Sequence, residues 1–353
     1  LGSSKDTALA KIINLFNHKG GVSKTTTVFN LAWMLGTMGK TVIMADFDPQ
    51  CNLTGMVLGY KGVEDLEGTY KESPPNNVKD ALSPAFEAKP RQIVGAECIQ
   101  VTGNNNLYLL PGHIGLAEYE TTLGIAQELS GSLLALKNLP GSIRYMLEET
   151  AAKYNADYVI VDMSPSLGPV NQNLLMTGDH FIVPLHPDYF SEMALSSLAR
   201  VLPRWKNWAE TASKIELLKN ADYPFLPPTS TYAGSIIQKY RPRNGAASKA
   251  FQHWIDQLVA GLKGVLIPAL EKANMLNSAE FAAKAGLDAW NPIMEVADFN
   301  SLIALSQEHQ TPVYALTPDI VGKGAVWDQA KENMDVFQNG FEECARRVIA
   351  LTA

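Results

Sequence analysis

The stretch KIINLFNHKGGVSKTTTVFNLAWMLGTMGKTVIMADFD, residues 11–48, decides the fold. KIINLF, residues 11–16, is a short apolar run that reads as a buried strand. NHKGGVS, residues 17–23, is a glycine-rich turn. From Lys24 to about Gly36 the apolar residues Val28, Leu31, Ala32 and Leu35 recur at offsets of three and four, which predicts a helix ending near Gly39. TVIMADFD, residues 41–48, is a second strand, apolar until its C-terminal end. Strand, glycine loop, helix and strand in that order open an α/β domain with a mostly parallel, twisted sheet flanked by helices.

The same grammar continues downstream. LYLLPG, residues 107–112, reads as a short strand and turn, and helices are expected over about 114–136 and 141–153. YVIVDMSPS, 158–166, and HFIVPLHPD, 180–188, are apolar runs that end in acidic, proline-marked turns. An amphipathic helix should follow from 191, with Pro203 as a break or kink. Residues 223–234, punctuated by prolines, are expected to be loop, and 244–263 to be helix. PVYALTP, 312–318, is a candidate last strand, and 325–350 a long closing helix. No repeat is visible. Residues 1–353 read as a single domain elaborated at 60–106 and 264–310.

Composition sets the outer bounds. A chain of 353 residues, 46% hydrophobic and 18% charged, can bury a full core. No run of about 18 uncharged apolar residues signals a membrane span. The opening LGSSKDTALA has neither a basic segment nor an apolar core, so no signal peptide is expected, and a cytoplasmic location is. Cys51, Cys98 and Cys344 are scattered without CxxC spacing, which gives no zinc or iron–sulfur signal. A formal net charge of -7 weighs against a protein coated in nucleic acid, though a local basic patch can coexist with it.

The chemistry is concentrated at Lys19-Gly20-Gly21-Val22-Ser23-Lys24-Thr25-Thr26. Backbone N–H groups at a strand-to-helix turn can wrap a phosphate, and the helix dipole adds attraction. Gly20 and Gly21 permit the close approach. Lys24 can reach the β- and γ-phosphates, and the Thr25 hydroxyl can ligate magnesium. The standard GxxxxGKT spacing is not met, because Asn17 and Ser23 stand where glycines would. Asp46 and Asp48 close the second strand on one side of it, where open α/β sheets hold ligands. Asp162 ends the apolar run YVIVD, as a carboxylate that holds magnesium does.

The segment Lys19–Thr26 resembles the deviant Walker A motif of the ParA/MinD family of P-loop ATPases. The resemblance is firm over 11–58 and 158–200 and faint over 60–105 and 264–305. It implies ATP and Mg2+ as cofactors, with Gly20, Gly21, Val22, Ser23, Lys24, Thr25 and Thr26 around the nucleotide and Pro184 and Pro187 framing it. It implies that Lys19 reaches the nucleotide of a second protomer in an ATP-dependent homodimer. Asp48 would position the attacking water, and Asp46 would lie near the magnesium shell or support the loop. MSPSLG, 163–168, is similar to the family's switch II. The implied activity is ATP hydrolysis stimulated by a protein partner, in plasmid or chromosome partition or in cargo positioning. A metabolic or assembly ATPase without DNA binding and a nucleotide-gated interaction module are the alternatives. Nonspecific DNA, and with it association with the nucleoid, would be reached through Arg200, Arg204, Lys239, Arg241 and Arg243. Lys206, Lys249, Arg346 and Arg347 are further members of the basic clusters.

Overall fold

β1 (Lys11–Leu15) is the centre of the molecule because both of its faces and both of its edges are covered. The structure is a computed structural model and describes residues 9–60, 62–70, 76–129, 134–240, 242–243, 246–247, 249–297 and 302–353. The other strands are β2 (Val42–Phe47), β3 (Ile99–Gln100), β4 (Leu107–Leu110), β5 (Tyr158–Met163), β6 (His180–Leu185), β7 (Thr231–Tyr240) and a last strand, Met294–Ala297. They form one sheet in the order Met294–Ala297, β7, β6, β1, β5, β2, β4, β3. Every pairing is parallel except that of β3 with β4. β2 and β5 are buried along their whole length, which is why they read as unbroken apolar runs.

Helices α1 (Lys24–Thr37), α2 (Asn52–Leu58), α3 (Val63–Thr69), α4 (Val78–Phe86), α5 (Ala117–Glu128), α6 (Leu139–Tyr154), α7 (Pro169–Thr177) and α8 (Tyr189–Ala212) flank the sheet. α1 packs with the closing helix Ala325–Thr352, while α5, α6 and α7 pack on one another. α1 ends where expected. Gly39 adopts φ 84 and its N–H donates to Gly36 O, a left-handed stop that a side chain would strain.

Six expectations need correction. PVYALTP is not a strand: Pro312 and Pro318 bracket a 3₁₀ turn, Val313–Ala315, and Tyr314 donates through its hydroxyl to Asn30 O of α1 at 2.6 Å. The expected loop 223–234 gives way to β7 at Thr231, whose N–H donates to Asp179 O. The helix expected over 114–136 is a 3₁₀ turn at Ile114–Leu116, then α5, then another at Leu134–Leu136, with 130–133 outside the described residues. Pro203 does not break α8, which runs through it. The helix expected from 244 begins at Lys249, after a small hairpin of 242–243 with 246–247. The expected elaboration 264–310 also supplies the edge strand Met294–Ala297, so part of it belongs to the sheet.

Candidate functional site

The loop between β1 and α1 is held from behind by Asn17, which sits where the standard motif has glycine. Asn17 is fully buried. Its Nδ2 donates to Pro184 O at 2.9 Å, and its Oδ1 accepts from Lys19 N at 3.0 Å. A glycine could make neither bond, so the departure from the motif is a substitution of anchors. Gly21 adopts φ 73, which favours glycine. Ser23 adopts φ 57, and its Oγ is buried without a hydrogen-bond partner.

Lys24 opens α1 and is nearly buried, with Nζ donating to Asn17 O at 3.0 Å and Lys19 O at 3.3 Å. Burial lowers its pKa, and the charges of Asp162 and Asp48 offset part of that. Asp46 and Asp162 are register partners on β2 and β5, so two buried carboxyl groups share one rung of the sheet. Burial first, then the Asp46 charge, hold Asp162 above the usual carboxylate range, with Thr25 and Lys24 pulling back. Both Asp162 oxygens lie buried without a hydrogen-bond partner of good geometry. Such a carboxylate suits a cation better than it suits a core.

Asp46 differs. Its Oδ2 accepts from Thr54 N at 2.9 Å and Thr54 Oγ1 at 2.6 Å, and its Oδ1 accepts from Asp48 N at 3.2 Å. Thr54 Oγ1 in turn accepts from Gly112 N at 2.8 Å. The Asp46 carboxylate thus ties the end of β2 to the loop and helix that follow it. Asp48, which lines the cleft, accepts from Gln50 N at 3.0 Å. Among the described residues no three His, Cys, Asp or Glu side chains cluster as a metal site. Magnesium does not need such a cluster, because it is held through one or two carboxylates together with phosphates and water.

Gly20 to Thr26 and Asp48 line a cleft of about 1020 Å³. Met56, Tyr60, Leu66, Gln307, Glu308 and Gln310 also line it. Of these, Tyr60 and Leu66 fall in a segment where the family resemblance is faint. Pro165 of the expected switch II also lines it, while Pro184 and Pro187 do not. The contribution of Pro184 is the carbonyl that holds Asn17.

Lys19 turns away from the cleft. Its Nζ meets Asp188 Oδ2 at 2.5 Å and Ser191 Oγ at 3.2 Å. Asp188 is also the N-cap of α8, accepting from Ser191 N at 2.8 Å. Burial raises its carboxyl, but the Lys19 and Ser191 contacts outweigh that and hold it below its ordinary value. The spacing Asp-x-x-Ser before an amphipathic run is the signal that marks this cap in the sequence. Behind switch II, Asn171 Nδ2 donates to Ser164 O at 2.8 Å and Ser166 O at 2.9 Å. Glu120 of α5 accepts from Val170 N at 3.1 Å. No motif in the sequence pointed to Asn171 or Glu120.

The basic residues divide. Arg200 and Arg204 are exposed one turn apart on α8, Arg200 Nε donating to Ser196 O within the helix. Lys206 is buried and donates to Asn274 O at 2.7 Å, Arg346 pairs with Glu342, and Arg347 pairs with Glu343 and Ile293 O. Lys206 and Arg347 thus leave the expected basic surface, while Arg346 stays exposed beside Glu342. Arg241 lies outside the described residues, and the side chains of Lys239 and Arg243 are likewise not described. No helix among the described residues is long and apolar enough to cross a membrane.

The chain is similar to known proteins over most of its length. A family model described as an AAA domain matches residues 10–215. An uncharacterized protein of Methanocaldococcus jannaschii is 32% identical over 294 residues, covering 82% of this chain and 97% of its own length. The sporulation initiation inhibitor protein Soj of Bacillus subtilis is 32% identical over 191 residues, covering 54% of this chain and 64% of its own length. The structure of pNOB8 ParA bound to nonspecific DNA is similar in fold, with a TM-score of 0.54 at 18% identity, covering 97% of this chain and 98% of that one.

Proposed function

We propose, from the premise that this chain belongs to the ParA/MinD family of deviant Walker A P-loop ATPases, that it is an ATP-dependent dimerising switch ATPase acting in DNA partition or cargo positioning. One observation carries the reading: the turn Lys19–Thr26 frames the cleft at the C-terminal end of β1, with Asp48 lining it and Asp162 ending the neighbouring β5. Backbone N–H groups of Gly20 to Thr26 and the α1 dipole would bind the phosphates of ATP. Thr25 and Asp162 would hold magnesium, which would draw charge from the β- and γ-phosphates. Lys24, already tethered to the loop carbonyls, needs only a short swing to reach the phosphates. Asp48 would orient the attacking water. Lys19 would leave Asp188 to reach the nucleotide of a second protomer, so that hydrolysis depends on pairing.

Lys24→Ala is expected to weaken ATP binding by about 100-fold or more, read by calorimetry. Equal affinity in the variant would remove the phosphate assignment. Partition is tested by a mobility-shift titration of Asp48→Ala with unrelated DNA, with and without ATP. A shift that requires ATP and weakens steeply with salt supports partition over a DNA surface.

A second reading, cargo positioning or assembly without DNA, has a specific observation in its favour. Lys206 and Arg347 are engaged by contacts within the protein, and the formal net charge is -7. Absence of any shift, with or without ATP, would favour this reading.

A further inference from the structure

Between α5, the segment 163–168 and the C-terminal half of α8 lies a second pocket, of about 560 Å³, that shares no residue with the nucleotide cleft. Leu167, Pro169, Trp205, Trp208 and Ile215 give it apolar walls, and Arg204 stands among them. The walls are fixed by the fold. Trp205 is buried, and Trp208 Nε1 donates to Gln127 O of α5 at 3.3 Å. Gln127 Nε2 in turn donates to Pro169 O at 3.1 Å. Only two positions separate this pocket from the nucleotide site along the chain. Pro165 lines the cleft, and Leu167, 42% exposed, lines the pocket. Both follow Asp162 of β5, so whatever seats against Leu167 bears on a segment that also faces the nucleotide.

We infer that this pocket receives an acidic amphipathic segment of a partner protein, with an apolar side chain between Leu167 and the two tryptophans and carboxylates on Arg204 and Arg200. For the partner's role the inference rests on the switch reading above; for the site it rests on the pocket. Charge selects the occupant. Arg200 and Arg204 are exposed one turn apart, and neither has an ion pair among the described residues. Glu210, further along the same helix, pairs with Lys206 at 3.9 Å instead. Two cations beside apolar walls suit carboxylates set beside apolar side chains, which is the pattern of an acidic amphipathic helix. Tryptophan and arginine are also residue types that anchor protein contacts. Glu128 of α5 lines the pocket as well. An unbroken file of phosphates would meet that carboxylate and leave the apolar walls empty, so a nucleic acid backbone fits poorly.

Size sets how much of the partner enters. The volume lies within the roughly 300–1,000 Å³ of pockets that enclose a compact ligand, so the side chains of a short segment fill it. Neither arginine lies in the phosphate loop, so the contact adds to nucleotide binding without competing for it.

The test uses two peptides of about twelve residues with leucines at helical spacing, one with glutamates and one with lysines at the remaining positions. Binding to the full chain is read from the indole N–H resonance of Trp208 by NMR and by calorimetry, both without ATP. The glutamate peptide is expected to shift that resonance and to bind about tenfold or more tightly than the lysine peptide. Arg204→Glu, a change at an exposed position whose fold is checked by circular dichroism, should remove that preference, and Leu167→Ser should weaken the glutamate peptide's binding. Equal binding of the two peptides, or a preference that survives Arg204→Glu, would overturn the docking site. So would an unrelated DNA duplex that binds through Arg204 while neither peptide binds, which would give the arginines to nucleic acid. An Arg204-dependent peptide complex in a protein that turns over no ATP would uphold the docking site and remove the ATPase reading instead.

Discussion

Lys19 and Asp188 show how a single pair can be stable and still easily exchanged. Both side chains are partly exposed, so their ion pair is worth no more than about 1 kcal/mol. Asp188→Asn keeps a good N-cap for α8 and removes the charge that holds Lys19. The variant is therefore expected to keep its thermal stability within about 1 kcal/mol and to dimerise with ATP about fivefold more tightly, measured by sedimentation. Weaker dimerisation would mean that the pair helps assembly. Asp162 makes a different prediction. Burial and the Asp46 charge favour its protonated form, so a cation placed against it should expel the proton. Binding of magnesium nucleotide near neutral pH should release a fraction of a proton, seen as a calorimetric enthalpy that changes with the buffer. Asp162→Asn should lose that component, and a buffer-independent enthalpy in the parent protein would remove Asp162 from the metal site. The sequence exposes Lys19, Lys24 and Asp162 because their spacing is local. It hides the Lys19–Asp188 pair because 169 positions separate the partners.

At the scale of elements, strands were legible where burial is complete and illegible where it is interrupted. β1, β2, β4, β5 and β6 are apolar runs with a turn at the end, and all five were read close to their bounds. β7 was missed whole because it emerges from the proline-rich 223–230 and contains Gly234, where a methyl group would come within 2.6 Å of Ile293 Cγ2. That glycine makes room for the chain leading to Met294–Ala297, itself too short to show a pattern. PVYALTP has the composition of a strand, but its prolines remove the N–H groups a ladder needs. What holds the segment 163–168 was not legible, since Asn171 and Glu120 act from neighbouring helices. Asn171→Ala would remove the amide donor to Ser166 O and one of two donors to Ser164 O, which keeps Ser166 N. It is expected to cost about 1–3 kcal/mol of stability and to lower turnover more than it lowers ATP affinity, by chemical denaturation and steady-state kinetics. Unchanged turnover would mean that the segment holds its shape without this amide.

For the whole molecule, acid sensitivity should be set partly by buried imidazole. Burial pushes His180 down to about 4 from 6.5, with Asp179 opposing and Lys11 and Lys284 assisting. Its neutral ring accompanies the folded state, so its contribution is present above pH 6.5 and lost as pH falls toward about 4. The loss is up to about 3 kcal/mol. Asp46 and Asp162, raised by burial, act with the opposite sign. The informative quantity is thus the difference in urea midpoint between the parent and His180→Gln, which should change between pH 6.5 and about 4. A constant difference would show that His180 titrates normally. The strand order carries a last consequence, one of timing. β1 pairs only with β5 and β6, so its first neighbour begins at Tyr158 and its second ends at Leu185. A ribosome has made the whole phosphate loop early, yet the frame that gives the loop its shape is still unsynthesised. Until Leu185 has emerged, KIINLF is an apolar segment without its sheet neighbours, exposed to the misassembly that unpaired strands invite, and the loop after it lacks its frame.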